Sequence, residues 1–202
     1  MPEPELREQD LDPDPRRQFD AWYQEAVAAL AAPEAMALAT ATAEGRPSLR
    51  MVLMKGYDER GFVFFTNYES RKGLELSANP QAALLFYWES LGRQVRIEGD
   101  ATRTTAEESA AYVRTRPRAS QLSALASPQS RPVESRAALE RRVAQIAVRH
   151  EGSELPLPEA WGGFRLVPER YEFWQQRPDR FHDRLVYTSG VDGTWTLTRL
   201  AP

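Results

Sequence analysis

The sequence predicts a mainly β fold with appended α elements, an antiparallel barrel carrying helices. Strand-like runs outnumber helix-periodic ones, and they adjoin one another in sequence instead of alternating with helices as βαβ units would. Turn-like stretches such as AEGRP and DERG separate runs rich in β-branched and aromatic residues. With 202 residues, 42% of them hydrophobic, the chain suits one domain with a sizeable core of its own.

In chain order, residues 1–15 are acidic and proline-rich and read as a mobile tail, and residues 16–202 form the single domain. The stretch RRQFDAWYQEAVAALAA spaces Phe19, Trp22 and Ala26 or Val27 as a helix does, ending by Pro33. Residues 34–67 then read as a three-stranded meander. SRKGLELSANP is a short helix stopped at Asn79-Pro80, and QAALLFYWES with GRQVRIEGDATRT is a strand pair turning near Leu91-Gly92. Thr104 and Glu107 stand at capping-box spacing, which predicts a helix ending before Pro117. A second helix around ESRAALERRVAQIAVRH places Leu139, Val143, Ile146 and His150 on one stripe, a structural setting for that histidine. Three further strands follow, in FRLVPERYEFWQ, RFHDRLVYTSG and TWTLTRLAP.

Composition narrows the chemistry. The chain has no cysteine, which removes disulfides, thiolate nucleophiles and Cys-ligated zinc; with only two histidines, no metal site is expected. The net charge of −3 argues against a general nucleic-acid binder. The N-terminus is acidic where a signal peptide would be basic and then apolar, and no apolar run approaches membrane-spanning length, so a cytoplasmic protein with no membrane partner is expected. Neither G-x-G-x-x-G, a Walker loop nor H-E-x-x-H is present.

What remains is a set of cations interleaved with aromatics. Of the 26 basic residues only Lys55 and Lys72 are lysine, the compact point charge suited to phosphate in a confined place. Lys55 ends an apolar strand row of Leu49, Met51 and Leu53. Thr66, Ser70, Arg71 and Lys72 surround a turn into a helix, where free backbone N–H groups and basic side chains favour a phosphate. Tyr112 and Arg116 lie one helical turn apart with Ser120 just beyond, a second possible phosphate clamp. In WQQRPDRFHDR an extended chain would put Arg180, His182 and Arg184 on one side, a positive strip that disfavours a protonated imidazole, and Trp174 could cover a planar ring. Each feature alone also fits an ordinary surface or core. Together they define two anion sites with aromatic surfaces, suited to two phosphorylated, ring-bearing ligands.

RMVLMKG, FFTNYESRKG, FYWESLGRQVRIEG, RPRASQ, SPQSRPV, WGGFRLVPERYEFWQ, RFHDR and the terminal RLAP resemble, in sequence and in order, the pyridoxamine 5′-phosphate oxidase family from about residue 15 to the C-terminus. The resemblance implies a split β-barrel homodimer with FMN at the subunit interface. It assigns the FMN contacts to Arg50, Met51, Val52, Leu53, Met54, Lys55, Phe65, Thr66, Arg71, Lys72, Gln94, Gln129, Ser130, Trp174 and Arg184. It assigns the substrate phosphate to Lys55, Tyr112, Arg116 and Ser120, and the catalytic positions beside the substrate ring to Arg180 and His182. Lys55, Arg116 and His182 are thus expected to share one cavity. The implied reaction oxidises pyridoxine 5′-phosphate or pyridoxamine 5′-phosphate to pyridoxal 5′-phosphate, with hydride passing from substrate C4′ to flavin N5 and dioxygen leaving as hydrogen peroxide. A related flavin oxidase of phenazine biosynthesis and a non-catalytic flavin or pyridoxal-phosphate binding module are the alternatives. Gln176, Phe181 and the Leu122-Ser123 pair depart from the family pattern.

Overall fold

The computed structural model describes residues 5–202. Its strands are β1 (Ala35–Ala41), β2 (Pro47–Leu53), β3 (Gly56–Asp58), β4 (Gly61–Asn67), β5 (Gln81–Trp88), β6 (Arg93–Arg103), β7 (Trp161–Gln175), β8 (Asp183–Ser189) and β9 (Trp195–Arg199). The helices are α1 (Pro15–Ala29), α2 (Arg71–Ala78), α3 (Ala106–Thr115), α4 (Arg118–Ala126) and α5 (Arg136–Arg149). All strand pairs are antiparallel, in the order β2-β1-β5-β6-β7-β4-β3, with β8 added to β7 and β9 to β8. The sheet curls into a half-barrel whose longest strands, β6 and β7, share a register shift between Glu98 and Gly99. Pro168, which has no N–H to give, pairs with Gly99 there, and a Cβ at Gly99 would lie 2.0 Å from the Val167 carbonyl oxygen.

Alternation fills the concave face: Phe86 and Trp88 of β5, Val95 and Ile97 of β6, Tyr171 and Phe173 of β7, and Leu185 and Tyr187 of β8 are all buried. α1 closes this core. Phe19 packs edge-on against Phe62 at 4.8 Å and Tyr57 at 5.1 Å, while Trp22 packs on Phe173 at 5.2 Å. No helix among the described residues is long and apolar enough to cross a membrane.

The structure corrects several expectations. Residues 34–67 form four strands, not a three-stranded meander. At Met54 and Lys55 the chain changes partner: the Met54 amide bonds Glu34 O (2.9 Å) beside β1, and the Lys55 amide bonds Val63 O (2.8 Å) on β4. The capping box lies one residue later than expected, with the Glu108 amide on Thr105 Oγ1 (3.1 Å) and the Thr105 amide on Glu108 Oε2 (3.0 Å). Thr104 is still engaged with β7, its amide on Gly163 O (2.9 Å). An additional helix, α4, occupies the segment after Pro117.

The mobile tail expected over residues 1–15 also needs correction. Residues 1–4 lie outside the described residues, but the rest is tied down: Leu6 and Leu11 are buried, the Leu6 amide donates to Asp183 Oδ2 (3.1 Å), and Arg199 pairs with Glu8 (2.8 Å). Tyr187 donates its hydroxyl to Asp12 O (2.6 Å), and Asp14 caps α1 through the Arg16 amide (2.9 Å). Two buried leucines, each contributing about 2 kcal/mol, outweigh the Pro- and Asp-rich local composition.

Candidate functional site

The predicted residues fall into two groups. The first surrounds a cavity of about 330 Å³ lined by Arg50, Met51, Val52, Leu53, Lys55, Phe65, Thr66, Lys72, Tyr112, Arg116, Gln129 and Trp161. Met54 does not line it; just past the end of β2, its side chain is buried in the core.

Lys72 is delivered by α2. Ser70 caps that helix, its Oγ accepting the Gly73 amide (3.3 Å), and only glycine fits at 73, where a Cβ would stand 2.3 Å from Tyr68 O. Lys72 Nζ donates to Thr66 Oγ1 (3.1 Å) and Gln129 Oε1 (3.2 Å), and the Thr66 hydroxyl donates to the same Gln129 oxygen (3.2 Å). Burial pulls the Lys72 pKa below the ordinary lysine value, Arg50 adds to this, and Glu75 opposes it.

Arg50 is gripped from beneath. Its guanidinium donates to Leu38 O (3.2 Å), to the hydroxyls of Thr40 and Ser48, and to the buried Glu75 carboxylate (3.3 Å). Arg71 turns toward the other Glu75 oxygen (2.8 Å) and does not line the cavity. Burial alone would raise the Glu75 pKa. Hydrogen bonds from Ser48, Thr40 and Arg71 outweigh it and hold the carboxyl at about 2.

On the far wall Phe65, Tyr112 and Trp161 stack, with Phe65–Tyr112 centroids at 3.9 Å and Phe65–Trp161 at 5.6 Å. Arg116 lies over the Trp161 ring at 4.8 Å. Its Nη1 is buried and has no hydrogen-bond partner, a donor aimed without an acceptor. Ser120 lines an adjoining cavity of about 220 Å³ that shares Arg116, Gln129 and Trp161. Ser130, at φ 70°, lines neither cavity.

The second group lies across three strands. Gln94 of β6 pairs with Trp174 of β7, and Trp174 pairs with Arg184 of β8, so the three form one row. A cavity of about 160 Å³ opens there, lined by Leu85, Gln94, Arg96, Glu172 and Trp174. Arg184 donates from Nε to Glu172 Oε1 (2.8 Å) and from Nη1 to Ala201 O (3.0 Å). This strengthens the ion pair and raises the arginine pKa further above its ordinary value.

The extended strip of Arg180, His182 and Arg184 is not what forms. Pro178 opens a 3-10 turn over Pro178–Arg180, Arg180 takes φ 63°, and β8 begins only at Asp183. Arg180 is exposed, whereas the His182 ring packs against Trp174 at 4.7 Å and its Nδ1 accepts the Arg177 amide at 3.1 Å. With Nδ1 as the acceptor, the ring's Nε2 is the nitrogen left to carry a proton. Lys55, Tyr112 and Arg116 share a cavity as expected. Arg180 and His182 do not line it, so among the described residues of one chain Lys55 and Arg116 share this cavity without His182, contrary to the expectation of one cavity for all three.

Sequence reading missed Trp161, Glu75 and Glu172. A lone carboxylate inside the apolar strand run YEFW was the legible sign of Glu172; for Glu75 only the i,i+4 pairing with Arg71 is local, while its partners Thr40, Ser48 and Arg50 are 25 to 35 residues away.

Comparison with known proteins places this architecture. Residues 23–150 match the family model described as pyridoxamine 5′-phosphate oxidase, and residues 161–202 match the pyridoxine 5′-phosphate oxidase C-terminal dimerisation region. The pyridoxine/pyridoxamine 5′-phosphate oxidase of Rubrobacter xylanophilus is 59% identical over 198 residues, 98% of this chain and 91% of the relative. That of Paraburkholderia phymatum is 57% identical over 96% of this chain and 91% of its own. Among solved structures, PhzG from Burkholderia lata, in complex with tetrahydrophenazine-1-carboxylic acid, superposes with a TM-score of 0.91 at 35% identity, over 98% of both chains. An FMN-binding protein from Nostoc punctiforme, 21% identical, shares the split-barrel fold with a TM-score of 0.73 over 94% of this chain and 98% of its own. With both family models matched and identity near 60% over almost its whole length, this chain belongs to the pyridoxamine 5′-phosphate oxidase family.

Proposed function

We propose that the protein is a homodimeric, FMN-dependent oxidase that converts pyridoxine 5′-phosphate or pyridoxamine 5′-phosphate to pyridoxal 5′-phosphate. The observation that carries this is the 330 Å³ cavity in which Lys55, Lys72 and Arg116 converge beside three stacked rings, Arg116 presenting a buried N–H without an acceptor. Phosphate oxygens suit such donors, and aromatic walls suit flat heterocycles. The residues therefore fit the cofactor. Arg50, Thr66, Lys72 and Gln129 would hold FMN, with Gln94, Trp174 and Arg184 contributing from the second row; Lys55, Tyr112, Arg116 and Ser120 would hold the substrate phosphate. When bound, FMN supplies a two-electron acceptor that dioxygen can restore.

The two groups meet in this reading across the subunit boundary. Trp174, Arg180, His182 and Arg184 all lie within the segment matching the dimerisation region, and Met51 and Leu53 on one wall of the cavity continue with Leu49 into an outward apolar row exposed by 65, 44 and 68%. A second copy seated there would bring its Arg180 and His182 to the first copy's phosphate clamp. Arg180 would orient the substrate ring, and His182, with Nδ1 engaged, would offer Nε2 to hold or move a proton.

The resemblance to PhzG supports a second reading, a flavin oxidase acting on a phenazine precursor. One experiment separates them. Purified protein is loaded with FMN and given pyridoxine 5′-phosphate, pyridoxamine 5′-phosphate or a reduced phenazine carboxylate under air. Peroxide with pyridoxal 5′-phosphate supports the oxidase; turnover of the phenazine alone supports the alternative. Flavin binding with no turnover of any of them contradicts both and leaves a binding module.

A further inference from the structure

We infer that Glu172 is a positioning residue for the flavin site, acting through Arg184. This rests on the FMN reading above. Glu172 is 6% exposed and lies on β7, two residues before Trp174 and therefore on the same face of the sheet. Its register partner Arg96 and the neighbouring Arg184 flank it, and each takes one oxygen: Arg96 Nη2 at 2.5 Å on Oε2 and Arg184 Nε at 2.8 Å on Oε1. A carboxylate this deeply buried beside an anion-binding site is costly unless it is paired, and here it is paired on both sides.

The effect on Arg184 is geometric. A guanidinium has five N–H donors in a rigid plane. Glu172 takes the Nε–H and the Ala201 carbonyl takes one Nη1–H at 3.0 Å, so two anchors at different edges fix the plane. The remaining donors then hold a fixed direction in the row with Gln94 and Trp174. Without the carboxylate, Arg184 keeps its charge and loses its aim. Arg96, which also lies 2.9 Å from Glu98, holds the other Glu172 oxygen and so fixes the carboxylate from its far side.

The test is titration of flavin-free protein with FMN, followed by flavin fluorescence, for wild type, Glu172→Gln, Arg184→Ala and the double variant, with melting temperature and dimer content measured in parallel. Losing one charge-assisted hydrogen bond predicts roughly tenfold weaker FMN binding for E172Q. Because Glu172 acts through Arg184, adding E172Q to R184A should weaken binding no further. Independent, multiplicative losses in the double variant would overturn the inference. So would E172Q binding FMN like wild type, or a weakening that only follows loss of the dimer or of thermal stability. Should E172Q not fold, Glu172→Asp, which keeps the charge but shortens its reach, undergoes the same cycle and is judged by the same outcomes. Wild-type protein that fails to bind FMN would defeat the cofactor reading instead, so the two failures are distinguishable.

Discussion

At the scale of single residues, the site is a problem of placing cations where they are short of acceptors. Arg116 is the clearest instance, stacked on Trp161 with one buried N–H unanswered. Replacing it with alanine should raise KM for the phosphorylated substrate by about tenfold to a hundredfold, the loss of one charged hydrogen bond, with a smaller change in kcat. Steady-state kinetics on both B6 substrates measure this, and an unchanged KM would put the clamp elsewhere. Lys72 gives a pH prediction. Its pKa lies below the ordinary lysine value, so it loses its charge, and FMN affinity begins to fall, at a lower pH than an ordinary lysine would allow. FMN dissociation constants across alkaline pH should show that limb, and Lys72→Arg should move it upward, since a guanidinium stays protonated. The lysines and arginines of this site were legible in the sequence because residue type and short spacing marked them. Trp161 was not, and for Glu172 only its presence in an apolar strand run was, not its partners. Their roles come from neighbours on other strands, information that periodicity alone does not carry.

At the scale of elements, the cavity depends on how α2 is fixed to β1 and β2. Glu75 of α2 accepts from Thr40 of β1 and Ser48 of β2 and pairs with Arg50 and Arg71, joining three elements at one buried carboxylate. Its folded pKa of about 2 lies well below the ordinary glutamate value. The stabilisation is therefore fully present above the unfolded carboxylate pKa and is lost as pH falls from that range toward 2, on the order of 3 kcal/mol in all. Acid titration of urea midpoints should show this slope in wild type, and Glu75→Gln should flatten it; equal slopes would contradict the assignment. Helix and strand identities were largely readable, since α1, α2, β5 and β6 follow from periodicity and turn residues. Boundaries set by tertiary pairing were not. The capping box slipped by one because Thr104 is held by β7, the supposed meander divides where Met54 and Lys55 bond different strands, and the N-terminal segment is ordered by contacts with residues 183, 187 and 199.

At the scale of the whole molecule, the sheet explains the separation of the site. β2 and β4 frame the cavity that holds Lys55 and Arg116, whereas the row of Gln94, Trp174 and Arg184 crosses β6, β7 and β8, and among the described residues neither of the cavities at these two places takes lining from both groups. Motif order in the sequence points to both halves but does not say whether one chain or two bring them together, because association is a property of surfaces and not of local spacing. The central claim is that a complete site takes its phosphate clamp from one subunit and its Arg180–His182 pair from the other. Mixing subunits tests it directly. Arg116→Ala and His182→Ala chains are co-refolded in equal amounts and assayed for pyridoxal 5′-phosphate formation at substrate well below the raised KM of the Arg116→Ala chain, where each is nearly inactive alone. Random pairing makes about half the dimers mixed, each with one intact site of two, so activity should recover to about a quarter of wild type. Activity no higher than the mean of the two parent variants would contradict the claim.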